Sequence, residues 1–189
     1  MKVRPANLPG LWVIQPTLYT DARGTFFERF NAMAFEKLTG EVPTFVQTCE
    51  SHSTNANTLR GLHLQLAPKA QGKLVWVQQG AVKDVVVDVR PESPTFGQHE
   101  VLELSEKNGL QLWIPSGFAH GFLTLTDNTV FQYQVTDYYS PEHERCIAWN
   151  DPDLNVNWGV MGQPIVSEKD KKGMSWVDFK KSAQNQVRV

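Results

Sequence analysis

From Phe45 to Tyr139 the chain is a succession of short apolar runs: Lys73-Leu74-Val75-Trp76-Val77-Gln78, Val82 to Val89, Glu100 to Leu104, Leu110 to Ile114, Gly121 to Leu125 and Thr129 to Val135. β-Branched and aromatic residues dominate these runs, and Gly, Pro, Asn or Asp separates them at roughly ten-residue spacing, with a Gln79-Gly80 turn after the first. The pattern predicts an antiparallel sandwich or barrel in one mostly-β domain. Helix is sparse. Asn31 as N-cap, Met33, Ala34, Phe35 and Leu38 as apolar positions and Gly40 as stop predict one short helix ahead of the strands. After Pro141 the pattern weakens into turns at Asp151-Pro152, Asn157-Trp158-Gly159 and Gly162-Gln163-Pro164. Ser167-Glu168-Lys169-Asp170 then predicts the first turn of a helix, with Ser167 as N-cap and Asp170 in the capping-box position. The polar final residues are expected to be loose.

Within Val82 to Val89, side-chain alternation puts Asp84, Val86 and Asp88 on one face and Val85, Val87 and Val89 on the other. A strand with two carboxylates on one side faces either solvent or a polar cavity, and period two alone leaves both open.

Composition narrows the function classes. With 189 residues, 41% hydrophobic and 20% charged, the chain is long enough for one domain with its own core. A formal charge of −2 with scattered basic residues argues against a nucleic-acid partner. No stretch approaches the ~20 apolar residues of a membrane span. Pro5, Asn7 and Pro9 interrupt the start where a secretory leader would be apolar, so a cytoplasmic location with no membrane partner is expected. Cys49 and Cys146, neither in a Cys-x-x-Cys, are expected to be free thiols.

Two segments carry candidate chemistry. In Arg60-Gly61-Leu62-His63-Leu64-Gln65 the histidine on its own reads as a base, a metal ligand or, first among these, a core residue with its nitrogens satisfied. Ile114-Pro115-Ser116-Gly117-Phe118-Ala119-His120 has the Pro-x-Gly-x-x-His form of the second cupin motif, and this resemblance implies that His120 points into a barrel and shares a pocket with His63. Metal-holding cupins present His-x-His and a downstream Glu; here the pattern is His63-Leu64-Gln65, with no acid before Asp84 and with the cation Lys73 in the same stretch. A metal-independent pocket is expected. Imidazoles, an ammonium and phenols suit proton transfer beside a carbonyl.

Over nearly its whole length the chain resembles the dTDP-4-dehydrorhamnose 3,5-epimerases. The resemblance rests on Asp21-Ala22-Arg23-Gly24 with Phe26-Phe27-Glu28, Arg60-Gly61-Leu62-His63, Gln71-Gly72-Lys73-Leu74-Val75, Val87-Asp88-Val89-Arg90, Ser93-Pro94-Thr95-Phe96-Gly97, Gln111-Leu112-Trp113-Ile114-Pro115, Gly117 to Phe122, Thr136-Asp137-Tyr138-Tyr139, Trp149-Asn150-Asp151-Pro152 and Leu154 to Trp158. It implies a cupin-type antiparallel β-barrel, or jelly roll, with a few short helices. It also implies a dTDP-4-keto-6-deoxy sugar substrate and no cofactor, since the substrate's own ketone acidifies C3–H and C5–H.

By the same resemblance His63 is the base, Asp170 orients it, Tyr133 is the acid on the opposite face of the sugar, and Lys73 and His120 stabilise the enolate oxygen. Arg23, Glu28, Gln47, Arg60, Glu144 and Lys169 are implied contacts to the nucleotide sugar, and Tyr138 or Tyr139 would stack on the base. Read without the resemblance, Glu144 and Lys169 equally suit surface charges; packing for Tyr139 and structural roles for Arg23 and Arg60 are the lesser readings. Asp84 is a candidate to hold His120 as Asp170 holds His63, and His52, His99 and His143 read as surface residues.

Leu64, Trp76 and the segment Gln47-Thr48-Cys49-Glu50-Ser51-His52-Ser53 depart from the family pattern, which has an aromatic, an Arg and Gln-Asp-Asn-His-Ser at these places. The departures bear on the sugar and nucleotide contacts, so a single-centre epimerase is the alternative, followed by a non-catalytic sugar-nucleotide binding module. The family's dimers exchange N-terminal strands. The resemblance therefore implies a homodimer in which residues 1–30 lie in the interface and Arg23 and Glu28 reach the partner's pocket.

Overall fold

The alternating runs become strands in the computed structural model, which describes residues 1–186. In chain order these are β1 (Lys2–Pro5), β2 (Trp12–Gln15), the hairpin β3 (Tyr19–Asp21) and β4 (Gly24–Phe26), helix α1 (Ala32–Thr39), β5 (Gln47–Ser53), β6 (Thr58–Gln65), β7 (Lys73–Gln79), β8 (Ala81–Asp88), β9 (His99–Ser105), β10 (Gln111–Ile114), β11 (Phe118–Thr124), β12 (Thr129–Val135), β13 (Glu144–Cys146) and β14 (Ile165–Val166), then a 3₁₀ turn at Asp170–Lys172 and helix α2 (Trp176–Gln186). One sheet runs β1-β2-β10-β7-β12-β5 and the other β13-β6-β11-β8-β9, with β14 parallel beside β6. This is a mostly-β jelly roll of the cupin type, with the sheets facing each other without closing into a continuous barrel.

Strand alternation sorts the side chains into three cores. Val75, Val77, Val82, Val86, Leu104, Leu112, Phe118, Phe122 and Phe131 pack between the sheets. On the outside of the second sheet, Leu59, Leu62, Val85, Val87 and Leu123 meet Leu154, Trp158, Trp176 and Phe179 from the C-terminal segment. On the outside of the first sheet, Leu74, Trp76 and Trp113 are covered by Phe35 of α1. Each fully buried large side chain contributes about 1.5–3 kcal/mol. The interior therefore has rigid walls on both sides.

Asn31 caps α1 by accepting a 3.0 Å hydrogen bond from the Ala34 N–H, and Gly40 ends it in the left-handed region at φ 77°. Ser167 accepts from the Asp170 N–H at 3.1 Å, but the Asp170 carboxylate turns inward instead of completing a capping box, and a single 3₁₀ turn replaces the expected helix. The later helix, α2, has its own signal in Ser175, whose Oγ accepts from the Asp178 N–H at 3.1 Å. Up to Gln186 the polar end is helical; the expectation of looseness falls, for the remainder, on residues 187–189, outside the described residues.

The face carrying Asp84 and Asp88 is the interior one, and both are fully buried. At the end of β8, burial alone would raise the Asp88 carboxyl, but hydrogen bonds from Arg90, Ser93 and Thr95 hold it at about 2. Asp84 lies deeper, where it serves the site.

Candidate active site

A cavity of about 620 Å³ opens between the sheets. Its floor is set by a close crossing of β6 and β11. A Cβ on Gly61 would lie 2.6 Å from Gly121 Cα and 2.7 Å from the His120 carbonyl oxygen, and one on Gly121 would lie 2.7 Å from the Arg60 carbonyl oxygen. Gly61 also sits at φ 112°, which side-chain-bearing residues avoid. The pairing continues with His63 opposite His120, so the two imidazoles project from neighbouring strands into one space.

Each imidazole has its own carboxylate. His63 Nε2 lies 2.5 Å from Asp170 Oδ1, and His120 Nε2 lies 2.8 Å from Asp84 Oδ2. Asp170 is 3% exposed and comes from the turn after β14, 107 residues further along the chain. Burial alone would raise its carboxyl, but bonds from His63, from the Gly61 N–H and from Ser167 lower it. An ionised carboxylate only accepts, so the His63 Nε2 carries the proton and Nδ1 keeps a lone pair. The Cys146 thiol adds a weak donor to Asp170 Oδ1 at 3.6 Å, and burial beside that carboxylate pushes the thiol up to about 12.

Tyr133 enters from the facing sheet, on β12. Burial and the neighbouring Cys49 thiol push its phenol up to about 12, with the Arg60 charge opposing them. It therefore stays protonated at neutral pH. Lys73 begins β7 and donates a 3.4 Å hydrogen bond to the His63 carbonyl oxygen. Burial lowers its ammonium to about 8, with Glu144 and Asp84 limiting the drop. An ammonium with that value is still mostly charged at pH 7.

At the rim, Lys169 Nζ lies 2.6 Å from Glu144 Oε1, and the Tyr139 hydroxyl donates to Glu144 Oε2 at 3.0 Å. Arg60 bonds the His52 carbonyl oxygen at 3.3 Å and Ser53 Oγ at 3.4 Å through Nη2, while its buried Nε has no partner.

Of the residues singled out from the sequence, His63, Lys73, His120, Tyr133, Asp170, Arg60, Tyr139, Glu144 and Lys169 border the cavity. Arg23, Glu28, Gln47 and Tyr138 do not. Arg23 pairs with Asp21 on the exposed β3–β4 hairpin, Glu28 accepts from Asn31 at 3.2 Å, Gln47 starts β5, and Tyr138 is 64% exposed. Trp76, expected to bear on sugar or nucleotide contacts, instead packs on the outer face of its sheet with its indole N–H on Gln132 at 2.9 Å. The strand alternation that points Val75 inward points Trp76 outward.

Gln65, at the place of a metal-holding cupin's second ligand, spends its amide on backbone: Nε2 donates to the Lys69 and Tyr138 carbonyl oxygens and Oε1 accepts from the Ser140 N–H. Among the described residues, one trio of metal-ligating type, His63, Cys146 and Asp170, has its atoms within 4.8 Å of one another, and these already hydrogen-bond among themselves.

A family model described as dTDP-4-dehydrorhamnose 3,5-epimerase matches residues 5–178. The chain belongs to this family. A dTDP-4-dehydrorhamnose 3,5-epimerase from Pseudomonas aeruginosa is 47% identical over 179 residues, which is 94% of this chain and 97% of that protein. Among solved structures, the family's Bacillus anthracis enzyme with TDP and PPi bound superposes with a TM-score of 0.89 at 45% identity, covering 92% of this chain and 98% of its own. A Legionella pneumophila dTDP-6-deoxy-D-glucose-3,5-epimerase in complex with dTDP-4-keto-L-rhamnose gives 0.88 at 44% identity, covering 92% of each chain. The jelly roll and its cavity are thus a dTDP-4-dehydrorhamnose 3,5-epimerase fold.

Proposed function

We propose that the protein converts dTDP-4-dehydro-6-deoxy-D-glucose to dTDP-4-dehydro-L-rhamnose, a step of dTDP-L-rhamnose synthesis. The observation that carries this reading is an Asp170-anchored imidazole and a phenol entering one cavity from facing sheets. Inversion at carbon needs proton removal on one face of the ring and delivery on the other. His63 removes the proton alpha to the C4 ketone through its free nitrogen, and Asp170 orients the ring and stabilises the imidazolium that forms. Tyr133, held protonated, delivers a proton from the opposite side. Lys73 and His120 stabilise the enolate oxygen, with Asp84 holding His120 in place through Nε2. Arg60, Lys169, Glu144 and Tyr139 take the nucleotide end.

A homodimer belongs to the same reading. Leu18, Tyr19 and Phe26, on or beside the N-terminal hairpin, are 56%, 62% and 72% exposed, an apolar surface that suits a second copy of the chain. In such a dimer Arg23, Glu28 and Gln47 complete the nucleotide contacts. The unpaired thiols Cys49 and Cys146 suit a reducing compartment, and cytoplasmic residence is part of the proposal.

Incubation with dTDP-4-keto-6-deoxy-D-glucose in heavy water, read by NMR, tests it. Deuterium at both C3 and C5 is expected; label at one carbon indicates a single-centre epimerase, and label at neither overturns the assignment. His63→Ala should abolish uptake at both carbons, whereas Tyr133→Phe should impair net epimerisation more than washout at one of them. Equal, small losses in both variants would remove the assigned roles.

A further inference from the structure

Gln65 is 6% exposed at the end of β6, two residues beyond His63, and all three strong bonds of its amide go to backbone. Nε2 donates to the Lys69 carbonyl oxygen at 2.6 Å and to the Tyr138 carbonyl oxygen at 3.2 Å; Oε1 accepts from the Ser140 N–H at 2.7 Å. Both N–H groups are used, so the side chain has no donor left for a substrate.

Those partners lie on two different rim loops. The loop between β6 and β7 is tied to the one after β12 by further bonds, Gln71 Nε2 to the Asp137 carbonyl oxygen at 2.7 Å and Lys69 to Asp137 at 3.4 Å. Gln65 is nevertheless the residue that ties both loops to β6, the strand carrying His63. Between its two bonded positions, Tyr138 and Ser140, sits Tyr139, whose hydroxyl meets Glu144, and Glu144 is the register partner of Gln65 on β13.

We infer that Gln65 is a positioning residue for the nucleotide end of the site: its amide locks the Tyr138–Ser140 segment, and hence Tyr139 and the Glu144–Lys169 pair, at a set place relative to His63. This rests on the reading of that rim as the nucleotide contact. Without the amide, three backbone groups lose their partner and the rim samples several arrangements, only one of which meets the ligand. The chemistry inside the cavity, held by Gly61, Asp170 and Asp84, is untouched.

The test is Gln65→Met, nearly isosteric but unable to form these bonds, with Gln65→Asn, one methylene too short to reach, as the substitute should the first fail to fold. Calorimetry with dTDP and steady-state kinetics are measured on both variants and on the wild type. The dissociation constant for dTDP and KM for the sugar nucleotide should rise together by about tenfold or more, the size of one to two lost hydrogen bonds. At saturating substrate, deuterium washout should stay within about threefold of wild type. Unchanged dTDP affinity, or a fall in kcat with affinity intact, overturns the role of Gln65. Failure of the wild type itself to bind dTDP overturns the nucleotide-site reading on which it rests.

Discussion

Lys73 holds its charge where burial opposes it, and the two consequences pull in different directions. An ordinary ammonium titrates near 10.4, whereas here it lies at about 8. Between those values the unfolded chain keeps a proton that the folded protein has released, so stability from this group rises with pH across that window and is lowest below about 8. If Lys73 faces the enolate oxygen as proposed, activity goes the other way, because that charge is lost as pH passes about 8. Lys73→Met should therefore lower kcat by about 10²–10³, the usual effect of removing one such donor, while raising the melting temperature. Thermal scans and turnover of the same preparation check both; a variant that loses stability as well would show that the ammonium is compensated in the fold.

At the scale of elements, the site depends on two strands passing closer than side chains allow. Gly61→Ala places a methyl group 2.6 Å from backbone at a positive φ, and the neighbouring atoms belong to Gly121 and His120, which cannot swing away. Urea unfolding should register a loss of about 3 kcal/mol or more, and the separation of β6 from β11 should cost activity beyond it. A loss within a few tenths would mean that the crossing is adjustable. Strands with a largely apolar inward face, such as β12, and those apolar on their outer face, such as β8, were legible as strands because burial fills them with β-branched and aromatic residues. β5 was less so: its inward side chains include Cys49 and Ser51 and its outward ones Thr48, Glu50 and His52, since a strand bordering a polar cavity needs no apolar row. The same limit applied to Asp84 and Asp88, whose face could not be chosen from period two. The likeness of Pro115 to His120 to a cupin motif reached a shared pocket for His63 and His120; Asp170 and Tyr133 came only with the family resemblance, because nothing local marks a carboxylate that meets its partner 107 residues away. α2 was missed although Ser175 and Asp178 supply a cap.

For the whole molecule, the proposed dimer rests on the exposed hairpin. Phe26→Glu should yield a monomer by light scattering, because a carboxylate in place of a ring that is 72% exposed blocks a dry interface without disturbing the cores. KM should rise with it, since Arg23 and Glu28 would no longer reach a neighbouring cavity. A variant that stays dimeric with unchanged KM would assign those residues to another purpose.

The Asp170 carboxylate belongs to the stretch that follows β14, whereas every strand that builds the cavity walls is complete by then. On the proposed mechanism, removing the stretch from Ser167 onward would take away the partner of His63 together with Trp176 and Phe179 of the outer core, so orientation of the base and stability would be lost in one cut.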